Sequence, residues 1–440
     1  MKNLIRIVIL TFFLVSTGCD DFLEQEPVDE LINENVIQNA DDVTVATLGI
    51  YNGFQSFGNL LFPQLNQLAD HANSQLSNNE FVQNELLADS PSLGQVWNIL
   101  YKVIHDVTFI LGELAQLENV SETQKNAFIG ELKFLRAYAY INLCQLYGDV
   151  PLVVSTNSDV NRTLPRTEVN EIFVSFVLPE LLEANQLVPE AYGDITSTKT
   201  RATRAAVQTL LLNTYMLLEQ WNEAENMANI LISNPDYALE PSYEDLFRDS
   251  TFSEESIWQI YYDENDQSNL DNGHRTLIFY PPTTHIINAF ESGDIRFNTA
   301  LAELQPGVFI VNKFRDVVPG DDRPYIYRLA EIYLFRAEAR AQQNNLTGAL
   351  EDVNTIRNRS GLPDLSGSDR NTILLAIEQE RHVELCFESK RWYDLLRTDR
   401  ADTVLGALKP ETWDPEIDKL LPIPLQELDN NPNITQNPGY

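Results

Sequence analysis

The stretch "NAFIGELKFLRAYAYINLCQLYGDVP", residues 126–151, limits the fold more than any other part of the chain. Between Phe128 and Tyr147 apolar residues occupy nearly every helical face, and a helix of that kind has to be central, with other elements packed around it. Gly148 is placed to end it, and Pro151 lies just beyond. Glu131 and Arg136 sit among the apolar positions and are expected to form a buried structural ion pair.

The helices around it are read as pairs. "RAAVQTLLLNTYMLLEQWNEAENMANILISNP", residues 204–235, turns near Gln220–Asn222 and carries Ala224, Ala228 and Leu231 on its second helix. "RLAEIYLFRAEARAQQNNLTGALEDVNTIRNRSGLP", residues 328–363, turns near Asn344-Asn345 and carries Ala349, Val353 and Ile356. Trp221 corresponds to Leu346, Ala224 to Ala349 and Ala228 to Val353. Small residues where antiparallel helices cross resemble tetratricopeptide hairpins, but the two units are too far apart for a tandem array. Residues 94–147 form a further pair and 369–397 one more long helix.

The expected class is therefore mainly α with minor β: tetratricopeptide-like hairpins forming one body, interrupted by long irregular excursions. Residues 19–40 read as tether and entry, 41–235 as the N-terminal helical part, and 328–397 as the C-terminal helical part. Within the first of these, 55–93 is polar and turn-rich and reads as a loop. Residues 236–327 read as a mostly irregular excursion in which 256–262 and 308–314 are strand-like, and 398–440 as a Pro-rich tail ordered over the surface. Loops of this length in a compact domain are usually functional.

The formal charge of −35 repels phosphate backbones and anionic lipid, which argues against nucleic-acid binding. Cys144 and Cys386 fall in helical patterns and read as small buried hydrophobes. Cys19 differs. Lys2 and Arg6 precede an apolar run, residues 7–15, too short to span a bilayer. A basic start, a short apolar middle and small residues mark an export signal, here 1–18. Ser16-Thr17-Gly18-Cys19 resembles a bacterial lipobox, in which the cysteine is acylated and becomes the mature N-terminus. Losing the two positive charges of Lys2 and Arg6 would take the formal charge from −35 to −37. Several acyl chains anchor far more firmly than one, so the membrane is engaged by lipid alone.

"ELKFLRAYAYINLCQLYGDVPLV", "YRLAEIYLFRAEARAQ", "ALEDVNTIRNRSGLP", "IEQERHVELCFESKRWYDLLR" and "LLPIPLQELDNNPNITQNPGY" together resemble the SusD/RagB family, the surface lipoproteins of Bacteroidetes nutrient-uptake systems. The motifs follow the family's order and span nearly the whole chain. The resemblance implies a tetratricopeptide-based body tethered to the outer membrane and facing outward. It implies a hinged lid on a SusC-like TonB-dependent transporter, catching oligosaccharide or, in the RagB branch, peptide. From the starch-binding member it also implies ligand contacts: an Asp in the first loop, an aromatic near its end, and aromatics in the later excursion. Asp70, Trp97 and Tyr280 are the nearest matches, with His71, Asn73, Asn269 and Arg275 as further polar loop candidates.

No HExxH, GxSxG or phosphate-cradling motif is present, so the expectation is a binder without catalytic residues; a surface glycan-active enzyme is the rival from another class. The histidines (71, 105, 274, 285 and 382) show no metal spacing, and no cofactor is expected. Asp263-Glu264-Asn265-Asp266 begins like a calcium loop, but Ser268 stands where the turn glycine belongs and His274 where the bidentate Glu belongs. Sugar capture needs flat apolar platforms beside planar hydrogen-bonding groups. Trp221, Trp258 and Trp392 read as structural by position, Trp413 lies in the Pro-rich tail region where the sequence is silent, and Trp97, directly after the first long loop, is the platform candidate.

Overall fold

A computed structural model of the chain describes residues 37–76, 79–248, 252–315 and 320–440. The signal segment and Cys19 lie outside the described residues.

Helix α1, Ala40–Leu68, starts at Asn39, whose side chain accepts from the amides of Asp41 and Asp42. It runs well into the segment read as a loop, straight through Pro63. An interior proline costs about 3 kcal/mol. Phe57, Leu61, Phe62, Leu65 and Leu68 recur at helical spacing and are all buried, and burying each is worth about 1.5–3 kcal/mol. The apolar stripe wins; among the described residues after it, 69–76 are irregular and a short helix, Glu80–Gln83, precedes the next long one.

Helices α2, Pro91–Gln116, and α3, Glu122–Tyr147, form the expected pair. Helix α3 is capped by a reciprocal Ser121–Gln124 box and ends at Gly148, φ 73°. It is the central helix, buried continuously from Phe134 to Cys144. Its two charges do not pair with each other. Five residues apart, they point to different neighbours: Glu131 takes Arg201 in a two-bond pair (2.9 and 2.7 Å) and the Tyr51 hydroxyl at 2.8 Å. Arg136 takes Glu180 on α4, Leu178–Leu187.

Helices α5, Arg204–Leu217, and α6, Trp221–Ile232, make one hairpin; α7, Leu329–Gln342, and α8, Leu346–Arg359, make the other. Ala224, Ala228, Leu231, Ala349, Val353 and Ile356 are fully buried where the helices cross. The hairpins stack directly, because α6 meets α7 through Arg340–Glu225 (2.9 Å) and Arg336–Asn229 (2.8 Å). The chain between them loops out and returns. Helix α9, Arg370–Glu384, packs on α7 and α8. It does not continue to 397: Phe387 and Ser389 take left-handed φ values of 62° and 63°, and a separate helix spans Arg391–Arg397.

Within the excursion, β3, Ser256–Gln259, pairs antiparallel with β6, Tyr325–Arg328, not with the second strand-like piece. That piece supplies β5, Val308–Val311, which pairs with β4, Leu301–Gln305; a third small ribbon joins β1, Val150–Pro151, to β2, Arg166–Thr167. The tail is ordered and partly core: Leu421 and Ile423 are fully buried, and the Leu421 amide donates to Leu146 O at 2.7 Å. It also contains helices Ala401–Leu408 and Leu425–Asn430. Among the described residues no helix is long and apolar enough to cross a membrane.

Candidate functional site

The two excursions meet. Beyond α1 the backbone of residues 72–75 runs antiparallel to 279–282. The Asn73 amide donates to Pro281 O (2.8 Å), the Gln75 amide to Phe279 O (3.2 Å), and Ala72 bridges Pro282. Thr283 closes the ribbon, its amide on His71 O (3.0 Å) and its hydroxyl on Asp70 O.

The outer side of this ribbon is partly apolar. Leu76 is 71% exposed, Leu277 50% and Phe279 46%. Asn73, Gln75 and Asn272 are exposed beside them. Ile278, between two of the exposed residues, has φ 55°. A β-branched residue adopts that conformation only at a cost, and such strain collects at functional sites. Arg275 is half-buried and donates to Asp271, which also accepts from the Thr276 hydroxyl. The Asn269 amide ties the segment back to α1 through Asn59 Oδ1 at 3.2 Å. The Tyr280 ring lies against Gly273, where an added Cβ would stand 2.7 Å from Cε2, so the ring fits there only because that residue is glycine.

Asp70 and His71 lie beneath the lip and not on it. Both are buried, at 2% and 1% exposure. Asp70 receives Arg391 Nε on both oxygens and Nη2 on one, all at 3.2 Å. Burial opposes its ionisation, yet His382, Arg391 and His285 around it hold the carboxyl well below the usual range. His71 stacks on His382 with centroids 5.0 Å apart, and burial depresses it to about 3. Neither side chain is exposed on the outer side of the lip. Three of the five histidines (71, 285 and 382) thus converge on one carboxylate, which spacing along the chain could not reveal.

Trp97 offers no open face. It is 3% exposed, lies 4.8 Å from the ring of Tyr101 and meets Tyr147 edge-on at 5.0 Å. It belongs to the buried stripe of α2 with Leu93, Val96 and Leu100, and it edges a separate groove of about 640 Å³ shared with Tyr101, His105 and Asn161. The expected platform is therefore core. Phe279, missed in the sequence, is the exposed aromatic ring of the lip; the available signal was the apolar run in "RTLIFYPP" inside an otherwise polar excursion. In the calcium-like segment, Asp263 Oδ1 accepts from the amides of Asn265 and Asp266 in a tight turn. His274 is buried among Tyr280, Phe314 and Phe387.

Burial lowers His274 to about 4, opposed by the Tyr280 carbonyl and by Asp271. The unfolded chain, with an ordinary value near 6.5, binds this proton first as pH falls, so stability drops between about 6.5 and 4. The slope is about 1.4 kcal/mol per pH unit. Denaturant unfolding at pH 7 and pH 5 should show wild type losing about 2 kcal/mol more than His274→Phe. Equal losses would contradict this reading.

The fold is a stack of helical hairpins from which long insertions project, and two of these insertions meet in the lip. The chain belongs to the SusD/RagB family. The SusD family model matches residues 306–440, and a second model, described as starch-binding and associating with the outer membrane, matches residues 21–216. The chain is 25% identical to SusD-like protein P25 of Formosa agariphila, the match covering 100% of this chain and 99% of that one. A SusD-like protein of Bacteroides ovatus is 22% identical over 90% of this chain and 82% of its own. Among solved structures, a laminarin-binding SusD-like protein superposes with a TM-score of 0.81 at 22% identity, covering 92% of this chain and 100% of that one. Surface glycan-binding protein A from Bacteroides thetaiotaomicron, in complex with laminarihexaose, gives 0.75 at 20% identity, covering 90% and 99%.

Proposed function

We propose that this protein is a glycan-capturing lipoprotein of the outer cell surface. It holds oligosaccharide on the lip formed by residues 72–76 and 277–283, and passes it to a SusC-like TonB-dependent transporter. The observation that carries this reading is the exposed Phe279 ring, flanked by Leu76 and Leu277 and bordered by Asn73, Gln75 and Asn272. An aromatic face buries the C–H side of a pyranose while amides take its hydroxyls. The glycan-binding descriptions of structurally similar proteins support it. A neutral sugar suits a chain of charge −35 better than a polyanion does. Capture without chemistry is supported by Asp70, which is buried under the lip and fixed by Arg391.

Calorimetric titration against laminari- and malto-oligosaccharides and a set of peptides tests the ligand class. Saturable binding of an oligosaccharide, unchanged on long incubation, is expected. Peptide binding alone would move the protein to the other branch of the family, and product release would make it an enzyme. Anchoring is tested separately: Cys19→Ala should shift the protein from the detergent phase to the aqueous phase, and retention in detergent would refute acylation at Cys19.

A further inference from the structure

Beneath the lip, independent of what the lip binds, Asp70, His285 and His382 bring one ligand atom each to within 4.8 Å of one another. His285 Nε2 stands 3.3 Å from Asp70 Oδ2, and His382 Nε2 stands 3.7 Å from Oδ1. We propose that these three side chains form a binding site for a divalent transition-metal cation of the zinc type, joining the end of α1, the helix Thr284–Ala289 and α9.

Four features support it. The donor set, two imidazoles and one carboxylate, is that of zinc and its first-row neighbours. Ligand atoms on a tetrahedral zinc stand about 3.3 Å apart, so the carboxylate-to-imidazole spacings need only small adjustment. His382 Nε2 is buried, lacks any hydrogen-bond partner and faces Asp70, a costly arrangement for a polar atom unless something else satisfies it. Metal-bound carboxylates are normally held from behind, and here the holders are in place. Arg391 grips Asp70, and the carboxylate, with about four lone-pair directions, can still bind a cation.

His71 is a holder and not a ligand. Its Nδ1 accepts the Phe387 amide at 3.3 Å, which leaves the proton of a neutral ring on Nε2, 3.8 Å from Asp70 Oδ1. His285, with 38% of its side chain exposed, opens the site to solvent and leaves a fourth position for water. Opposing charge is present: Arg391 and, further back, Lys409 act on Asp70, offset in part by Glu378 on Arg391. Affinity is therefore expected to be below that of a closed four-ligand site.

The test strips the full chain with chelator and titrates it with zinc chloride against a chromophoric competitor. One equivalent should bind, raising the unfolding temperature. His285→Ala, at a partly exposed position, should weaken it about tenfold or more and abolish the thermal shift. His382→Gln should do the same, and His105→Ala should change neither. Cobalt in place of zinc should give the intense visible bands of four-coordination. No bound equivalent, or an affinity unchanged by His285→Ala in a correctly folded variant, would overturn the site.

Discussion

Arg328→Ala should lower the free energy of unfolding by about 3–5 kcal/mol in denaturant titrations. Arg328 is fully buried at the end of β6. Its Nη1 reaches Glu255 (2.7 Å) and Glu384 (2.5 Å), its Nε and Nη2 both reach Glu388 at 2.9 Å, and Nη2 also donates to Glu384 O. Around it Lys313 takes Glu388, Arg359 takes Glu255 and Glu384, and Arg296 takes Asp294, Glu380 and Glu384. The cluster ties the end of β6, α8 and α9 to Glu255, Arg296 and Lys313 of the excursion. Its cohesion does not follow from a count of pairs, since buried ion pairs often only balance their own desolvation. Removing one partner is different, because three carboxylates then stay buried with too little positive charge. The exposed pair Arg204–Glu190 is the comparison: Arg204→Ala should cost less than about 1 kcal/mol. A loss at Arg328 as small as that would mean water or the remaining cations replace it.

Trp258→Ala should cost a similar amount, about 3–5 kcal/mol, by a different route. Trp258 is 1% exposed on β3 and meets Phe134 and Tyr138 of α3 edge-on, with centroids at 4.8 and 4.9 Å. Its indole N–H donates to Thr200 O at 3.2 Å. It pins the start of the excursion to the central helix, so truncation leaves a cavity that rigid helices cannot close and orphans a buried carbonyl. Trp258→Phe, which keeps most of the volume, should recover the larger part. If the two variants were equally unstable, the hydrogen bond rather than the packing would be the dominant contribution.

The parts of the fold legible in the sequence are those set by local period. Ala224, Ala228, Ala349 and Val353 announce two crossing hairpins because helix packing needs small residues at fixed spacing. Gly148 announces the end of α3 because only glycine ends a helix there cheaply. Residues 55–68 misled, since their polar, turn-rich composition is visible in the sequence while the burial of Phe57, Leu61, Leu65 and Leu68 depends on partners elsewhere. Residues 385–390 misled likewise: Glu388 turns inward to Arg328 and Lys313, and that turn breaks what periodicity reads as one helix.

The candidate site was legible only in part. Asn73, Asn269, Arg275 and Tyr280 do gather at or beside the lip, whereas Asp70 and His71 lie under it and Trp97 lies in another groove. The lip is a long-range pairing of 72–75 with 279–282, and no local pattern encodes such a register. Trp97 could have been placed correctly, because Leu93, Val96, Trp97 and Leu100 already trace one helical stripe. The histidine cluster could not, as its members come from three distant segments.

The lip is tested most directly by titrating wild type and Phe279→Ala with whichever oligosaccharide wild type binds most tightly, after checking that both melt at the same temperature. Stacking of bases on aromatic rings is worth about 1–3 kcal/mol, and a sugar face on Phe279 should weaken on truncation by a comparable amount. Trp97→Phe, in the buried stripe, should leave the affinity unchanged. Unaltered affinity in Phe279→Ala, with binding lost in Trp97→Phe instead, would place the sugar in the other groove and contradict capture on the lip.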